Sequence, residues 1–475
     1  MRTFFVAGVV VSLLAFTPAA FGSAFAINEL GVRAQGMGGA FTSVADDGSA
    51  LFYNPAGIAF QKGLQIQMDS LVVVGLFRYT PTIAPPGSTI PPNGYSGSVK
   101  PHFIPVASMY ITKDISARWT FGFAVFTPFG LAANFTNFND ADPANTKFVG
   151  RFAGTRARLE SFWFQPTLAY KLSERSSIAV GPAFVHTHLF YEQSILNPLD
   201  DGKTFGIEVA QVLFPGQNPV AAANSIARLL PEGRFRLAGT SNAMGLTAGY
   251  LYKDPKTHIN FGFMFRTAVV NHLKGKASFA FTNNGAVSGF LPASSPIPSL
   301  FPTQDARGIL VTPASYAFGV SRSDFHHTLV SADFVIQDFQ RFRNLPINFT
   351  QTSGTATPPE RRINFDFNNS YMFHFGAERQ LKPDTAVRVG YIFDHSPVPE
   401  KSQGPLFPDN TRNSLTIGAS KTRGNKEFSF FYQGMFFLDR TTNVLDNKNQ
   451  FTNGLYHNFA HLAGLGLRIH VGGTK

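Results

Sequence analysis

FAINELGVRAQGMGGAFTSVADDGSALFYNPAG, residues Phe25 to Gly57, decides how the rest of the chain is read. It has neither the strict alternation of a membrane strand nor the stripe of an ordinary amphipathic helix. Small residues fill its middle: Ala34, Gly36, Gly38, Gly39 and Ala40. Such a run packs backbone-close in a confined space, because Gly and Ala need almost no room. Asp46-Asp47-Gly48-Ser49 then signals a loop. At Asn54-Pro55-Ala56-Gly57, proline removes a donor and pushes Asn54 out of the helical region. The segment reads as a plug, and the long remainder of the chain reads as a wall around it.

Before the plug, Met1-Arg2 leads into an apolar run from Phe4 to Phe16 and a small-residue exit at Ala20-Phe21-Gly22-Ser23-Ala24. A charged start, an apolar stretch of about 13 residues and small residues at the exit describe a cleaved secretory leader, too short to span a bilayer. Cleavage after Gly22 and cleavage after Ala24 both satisfy the pattern, so residues 1–22 are assigned to the leader, 23–60 to the plug and 61–475 to the wall. Phenylalanine is 51 of 475 residues, which suits a lipid-facing surface with aromatic girdles better than a soluble aliphatic core. The chain has no cysteine, so disulfide staples and thiol chemistry are excluded. The formal charge of +11 is scattered rather than clustered. That favours anionic lipid, including lipopolysaccharide, over nucleic acid as a partner.

Beyond the plug the period becomes two. Leu64, Ile66 and Met68 alternate with Gln65, Gln67 and Asp69, and Val185, Thr187, Leu189 and Tyr191 alternate with His186, His188 and Glu192. Phe261, Phe263 and Phe265 oppose Asn260, Gly262 and Arg266, and Val387, Val389 and Tyr391 oppose Arg388. About 14 such segments, each near the length of a tilted membrane strand, predict an all-β, transmembrane antiparallel barrel closed around the plug. A lumen of that size needs filling. A short helical pattern at Val220–Leu230 falls in a long connecting segment.

The plug resembles the N-terminal hatch of the FadL-type outer-membrane transporters of long-chain fatty acids and other hydrophobic compounds. Asn28-Glu29, the small-residue run, Ala45-Asp46-Asp47 and Asn54-Pro55-Ala56 carry the resemblance. So do Phe126-Thr127-Pro128-Phe129-Gly130-Leu131, similar to the family's strand-to-loop segment, and Asp394-His395-Ser396-Pro397-Val398-Pro399. Pro408-Asp409-Asn410-Thr411-Arg412 matches the family's next stretch. The chain departs from such barrels in ending on Gly472-Gly473-Thr474-Lys475 rather than on an aromatic residue. The resemblance implies a monomeric channel of the bacterial outer membrane, passing hydrophobic molecules inward, most readily long-chain fatty acids, with no cofactor. A channel for neutral aromatic hydrocarbons shares the architecture, and a lipid enzyme of the outer membrane is the alternative of another class.

Enzyme motifs are missing: there is no Gly-x-Ser-x-Gly and no His-Glu-x-x-His. Gly202-Lys203-Thr204 lacks the upstream glycine of a phosphate loop. His186 and His188 sit at the strand spacing of a metal pair, with Glu192 on the same face, but a His pair in a polar lumen is more often lining, so they are assigned, with His374, to the lumen lining rather than to a metal. A fatty-acid carboxylate calls for a cation. Arg388 and Arg266 are the inward candidates, with an ion pair of Arg388 to Asp333, Glu378 or Asp394 as the competing role. Opening is assigned to Asn54, Pro55 and Ala56.

Overall fold

The computed structural model describes residues 24–82, 96–99, 104–135, 149–195, 205–219, 221–222, 233–281, 297–404, 407–443 and 452–471. The leader, the four C-terminal residues and most of the Val220–Leu230 pattern lie outside them.

Fourteen antiparallel strands close into a barrel. They are β1 (Leu64–Pro81), β2 (Gly97–Ser98 and Ile104–Asp114), β3 (Trp119–Asn134), β4 (Arg156–Lys171), β5 (Ser176–Ile195) and β6 (Gly233–Lys253). Four neighbours are interrupted: β7 (Ile259–Arg266 and Val269–Phe281), β8 (Gln304–Thr312 and Ser315–Phe325), β9 (Thr328–Gln337 and Asn344–Phe349) and β10 (Glu360–Asn364 and Ser370–Lys382). β11 (Thr385–Asp394), β12 (Arg412–Arg423), β13 (Lys426–Phe437 and Arg440–Thr441) and β14 (Gly454–Val471) complete the wall. β14 pairs with β1 from Leu64↔Val471 to Pro81↔Gly454, so no sheet edge is left at the seam. One end carries turns of two to five residues, such as 424–425 and 254–258, and the other carries every long connection. In outer-membrane barrels the short-turn end faces the periplasm.

The period of two holds along most of the wall, but its polarity inverts along the strand. Near the short turns, β1 buries Gln65, Gln67 and Asp69, and further up it buries Leu71, Val73, Phe77 and Tyr79. The outer face does the reverse. β5 exposes Ile178, Val180 and Phe184 near the short turns and presents the half-buried His186 and His188 above them. The lower lumen is therefore polar and the upper lumen apolar.

Residues 24–59 fill the lower and middle lumen and are buried almost throughout. They include α1 (Val32–Gly36), α2 (Ala50–Tyr53) and a 3-10 turn, Pro55–Phe60. Gly38 and Gly39 bend the plug between the helices at φ of 63° and 72°, a region that L side chains rarely adopt. Wall glycines admit it. A Cβ on Gly262 would lie 2.1 Å from the Thr42 carbonyl oxygen, and one on Gly376 would lie 2.2 Å from that of Met37. Gly376 stands directly opposite Gly390, whose own Cβ would meet the Gly38 nitrogen at 2.2 Å.

The segment Phe126–Leu131, expected at a strand-to-loop boundary, lies inside β3. Its register slips between Phe126 and Phe129, where Pro128 interrupts the ladder. Among the described residues, the β2–β3 ladder runs from Met109↔Val125 downward, with an isolated bridge, Val99↔Phe135, at the top. Above that level the free edge of β3 binds the head of the plug instead: Ile27 N–H donates to the Pro128 carbonyl, and Gly130 N–H to that of Phe25, each at 2.8 Å.

Gly376→Val is expected to unseat the plug while the barrel stays closed. In planar lipid bilayers the variant should conduct ions where the parent is silent. A silent, fully folded variant would show that the close approach is not required.

Candidate functional site

The base of the plug is held by charge. Arg33 of α1 forms a bidentate pair with Glu378 of β10, both contacts at 2.8 Å, and also binds Asp46. Glu378 is shared with Arg388 of β11, which donates to Ser420 Oγ at 2.9 Å. Glu427 lies 3.9 Å from Arg388 and pairs with Arg468. Bidentate, mostly buried pairs such as these fix geometry as well as charge. Other polar wall groups take up the plug's backbone. Asp333 accepts the N–H of Phe41 at 2.9 Å and of Thr42 at 2.8 Å, Gln67 accepts that of Gly48, and Gln165 donates to the Leu51 carbonyl.

Asn54-Pro55-Ala56 is fastened to the wall. Asn54 Nδ2 donates to the carbonyls of Thr42 at 2.8 Å and Tyr250 at 2.9 Å, while its Oδ1 accepts the Ala56 N–H. Ser177 Oγ donates to the Ala56 carbonyl at 2.8 Å.

Above the base the environment changes. A void of about 10 Å³ among Asn28, Glu29, Gln35, His374 and Arg412 has room for about one water. Burial pushes the Glu29 carboxyl up to about 7, with the Arg412 guanidinium opposing. Beyond it, Phe25 enters an aromatic cluster, 5.2 Å from Phe339 and 5.0 Å from Phe342 between ring centroids. Phe342 stacks on Phe365 at 4.7 Å, and Phe407 closes on Phe367 at 5.5 Å. Phe339, Phe342, Phe365 and Phe367 come from the interruptions of β9 and β10, where the broken ladder lets them turn inward. Beside this cluster lies a cavity of about 40 Å³, lined by Phe25, Leu131, Leu159, Leu189, Phe342, Phe365 and other apolar side chains, with Tyr191 the sole lining residue bearing a polar side-chain group.

The predicted site residues do not converge on this cavity. Arg388 adopts the competing role, paired with Glu378, although its Nη1 is buried without a hydrogen bond. Arg266 stands at the interruption of β7. It donates to the Phe52 carbonyl at 2.7 Å and lies over the Phe52 ring at 4.4 Å, with Phe126 and Trp163 also near. His374 is buried against Gly39 of the plug, and neither ring nitrogen has a hydrogen bond. The assignment of His186 and His188 to the lumen is corrected: both face outward, with His186 Nδ1 2.7 Å from Asn242 and His188 3.6 Å from Glu160. They occupy the upper, inverted part of β5, where polar side chains point outward. Sequence reasoning missed the aromatic cluster. Its signal was the pair Phe339/Phe342 and the pair Phe365/Phe367, which fall outside the regular alternation.

Removing the shared carboxylate leaves Arg388 with only the longer 3.9 Å contact to Glu427 and Arg33 with the aspartates of the plug. Glu378→Gln is expected to destabilise the folded protein by about 3 kcal/mol, measured as a lowered denaturation midpoint in detergent.

Residues 13–452 match the profile of a family described as outer membrane protein transport protein (OMPP1/FadL/TodX). A Neisseria meningitidis serogroup B protein, an outer membrane protein by description, is 24% identical over 375 residues, 77% of this chain and 75% of that one. The crystal structure of a Pseudomonas aeruginosa FadL homologue superposes with a TM-score of 0.74 at 18% identity, covering 94% of this chain and 99% of that one. The toluene transporter TodX of P. putida superposes at 0.69 with 15% identity, covering 94% and 99%. At these identities the structures share the fold.

Proposed function

This chain belongs to the OMPP1/FadL/TodX family of outer membrane transport proteins, and from that membership we propose a single-chain, passive outer-membrane channel for neutral hydrophobic molecules. The observation that carries the ligand class is the uncharged lining of the cavity beside Phe25. An apolar cavity rewards each buried CH₂ by about 0.8 kcal/mol and offers a carboxylate nothing. Its about 40 Å³ is smaller than the roughly 150 Å³ that holds a benzene ring. Entry of a ligand therefore displaces something, and Phe25 is the side chain that the plug itself contributes.

The head of the plug is the moving part in this reading, and Asn54-Pro55-Ala56 is its fixed anchor. Phe25 to Ile27 are held by two backbone hydrogen bonds to β3. When they leave, the unpaired stretch between β2 and β3 opens the lumen sideways toward the lipid. A second reading, a fatty-acid channel, is favoured by the buried, unbonded Nη1 of Arg388.

Two disulfides separate the moving part from the anchor, and the chain has no native cysteine to interfere. Ala26 and Phe129 form an antiparallel bridge, within reach of a disulfide. Oxidised Ala26→Cys/Phe129→Cys is expected to lose uptake of toluene and regain it on reduction. Oxidised Ala56→Cys/Ser177→Cys is expected to keep it. The opposite pattern would place the gate at the Asn54-Pro55 turn.

Titration of the purified protein decides the ligand class. Toluene binding should be unchanged in Arg388→Gln and stronger than binding of a long-chain fatty acid. Tight fatty-acid binding that falls about tenfold or more in Arg388→Gln would establish the carboxylate reading instead.

A further inference from the structure

On the outer face of β7 and β8, just above the lipid-facing apolar side chains, three cations stand together. His272, Lys274 and Lys276 point outward from β7, and Arg307 points outward from β8. Lys274 is directly opposite Arg307. Like charges in that position repel, so the pairing is unfavourable without an anion between them. Among the described residues, Lys274, Lys276 and Arg307 enter no ion pair within 4.0 Å, and Asp305, across from Lys276, forms none either. Beyond Asp305, the neighbouring acids are already taken. Glu192 is held by Arg236 at 2.6 Å with Arg156 at 3.8 Å, and Glu160 by Arg158 at 2.6 Å with His188 at 3.6 Å.

The level of the patch identifies what covers it. Directly below Lys274 on the same face are Val270, 47% exposed, and Ile309, 37% exposed. The cations therefore sit where the apolar band gives way to headgroups, at the long-loop end, which faces outward from the cell. We propose that Lys274, Lys276 and Arg307 bind the phosphate groups of a phosphorylated glycolipid of the outer leaflet, whose acyl chains lie along Val270, Ile309 and the wall below. Three convergent donors meet a phosphate in charge-assisted hydrogen bonds, and a lipid supplies the apolar half that a free anion lacks. The site rests on placement of the barrel in the outer membrane and not on its cargo.

The test uses the full-length purified protein in detergent, with lipopolysaccharide of the shortest core as the probe, the same lipid with its phosphates removed, and inorganic phosphate. Binding should weaken by at least about tenfold in Lys274→Gln/Lys276→Gln/Arg307→Gln. It should weaken similarly for the dephosphorylated lipid, and inorganic phosphate at equal concentration should not compete. A control, Lys256→Gln/Arg379→Gln/Lys382→Gln, removes as many charges at the short-turn end and should bind like the parent. Equal binding by the triple variant and the parent overturns the site. Equal loss in the control reduces it to net charge, and competition by inorganic phosphate removes the lipid. Toluene uptake by the triple variant, expected to be normal, reports on folding and stands apart from each of these outcomes.

Discussion

A segment with only two short helices and one 3-10 turn, sealed inside a barrel, must have its remaining backbone polar groups paired from outside itself, because little water reaches them. That requirement organises this molecule. The lower wall is polar because the plug needs it: Asp333, Gln67, Gln165, Arg266 and Thr416 each meet a plug N–H or carbonyl. The wall glycines answer the same demand, since hydrogen bonding to backbone requires backbone-close approach. The upper wall carries no such duty, and there the lumen turns apolar.

The two levels also differ in how firmly they hold the plug. Around α1 the network through Arg33, Glu378 and Arg388 is bidentate and largely buried, and losing one member leaves charges unpaired. At the head, two backbone hydrogen bonds to β3, the Ala24 N–H bonded to Asp409 at 2.9 Å, Gln337 donating to the Asn28 side chain at 3.0 Å and the rings around Phe25 do the holding. Local opening is drawn from the least stable part of a fold. The proposed opening would draw on this separation, the base staying fixed while the head yields to a ligand.

The barrel was legible in the sequence because period-two alternation survives from Leu64 to Val471, and the plug was legible because its small residues break that alternation. What alternation could not reveal is which face looks inward. It records that faces differ, and the polarity of the two faces exchanges midway along the wall. His186 and His188 were placed in the lumen on the rule that polar means inward, a rule that holds for Gln65 and Asp69 and fails above them. Arg388 points inward, but its partner, Glu378, lies one strand away, and the second partner of that carboxylate, Arg33, comes from the plug. Assignments of that kind need the register, which no single strand carries. The aromatic cluster was hidden for a related reason, since Phe339 and Phe342 come from a strand interruption and meet Phe25 only when the barrel closes.

Hydrogen exchange along the plug tests the central claim that its head and base respond separately. The amide of Ile27, bonded to Pro128, should exchange faster when toluene is added, while the amides of Phe41 and Thr42, bonded to Asp333, and of Gly48, bonded to Gln67, stay protected. Exchange of all four amides together on ligand addition would mean that the plug moves as one body, and the division into a yielding head and a fixed base would be wrong.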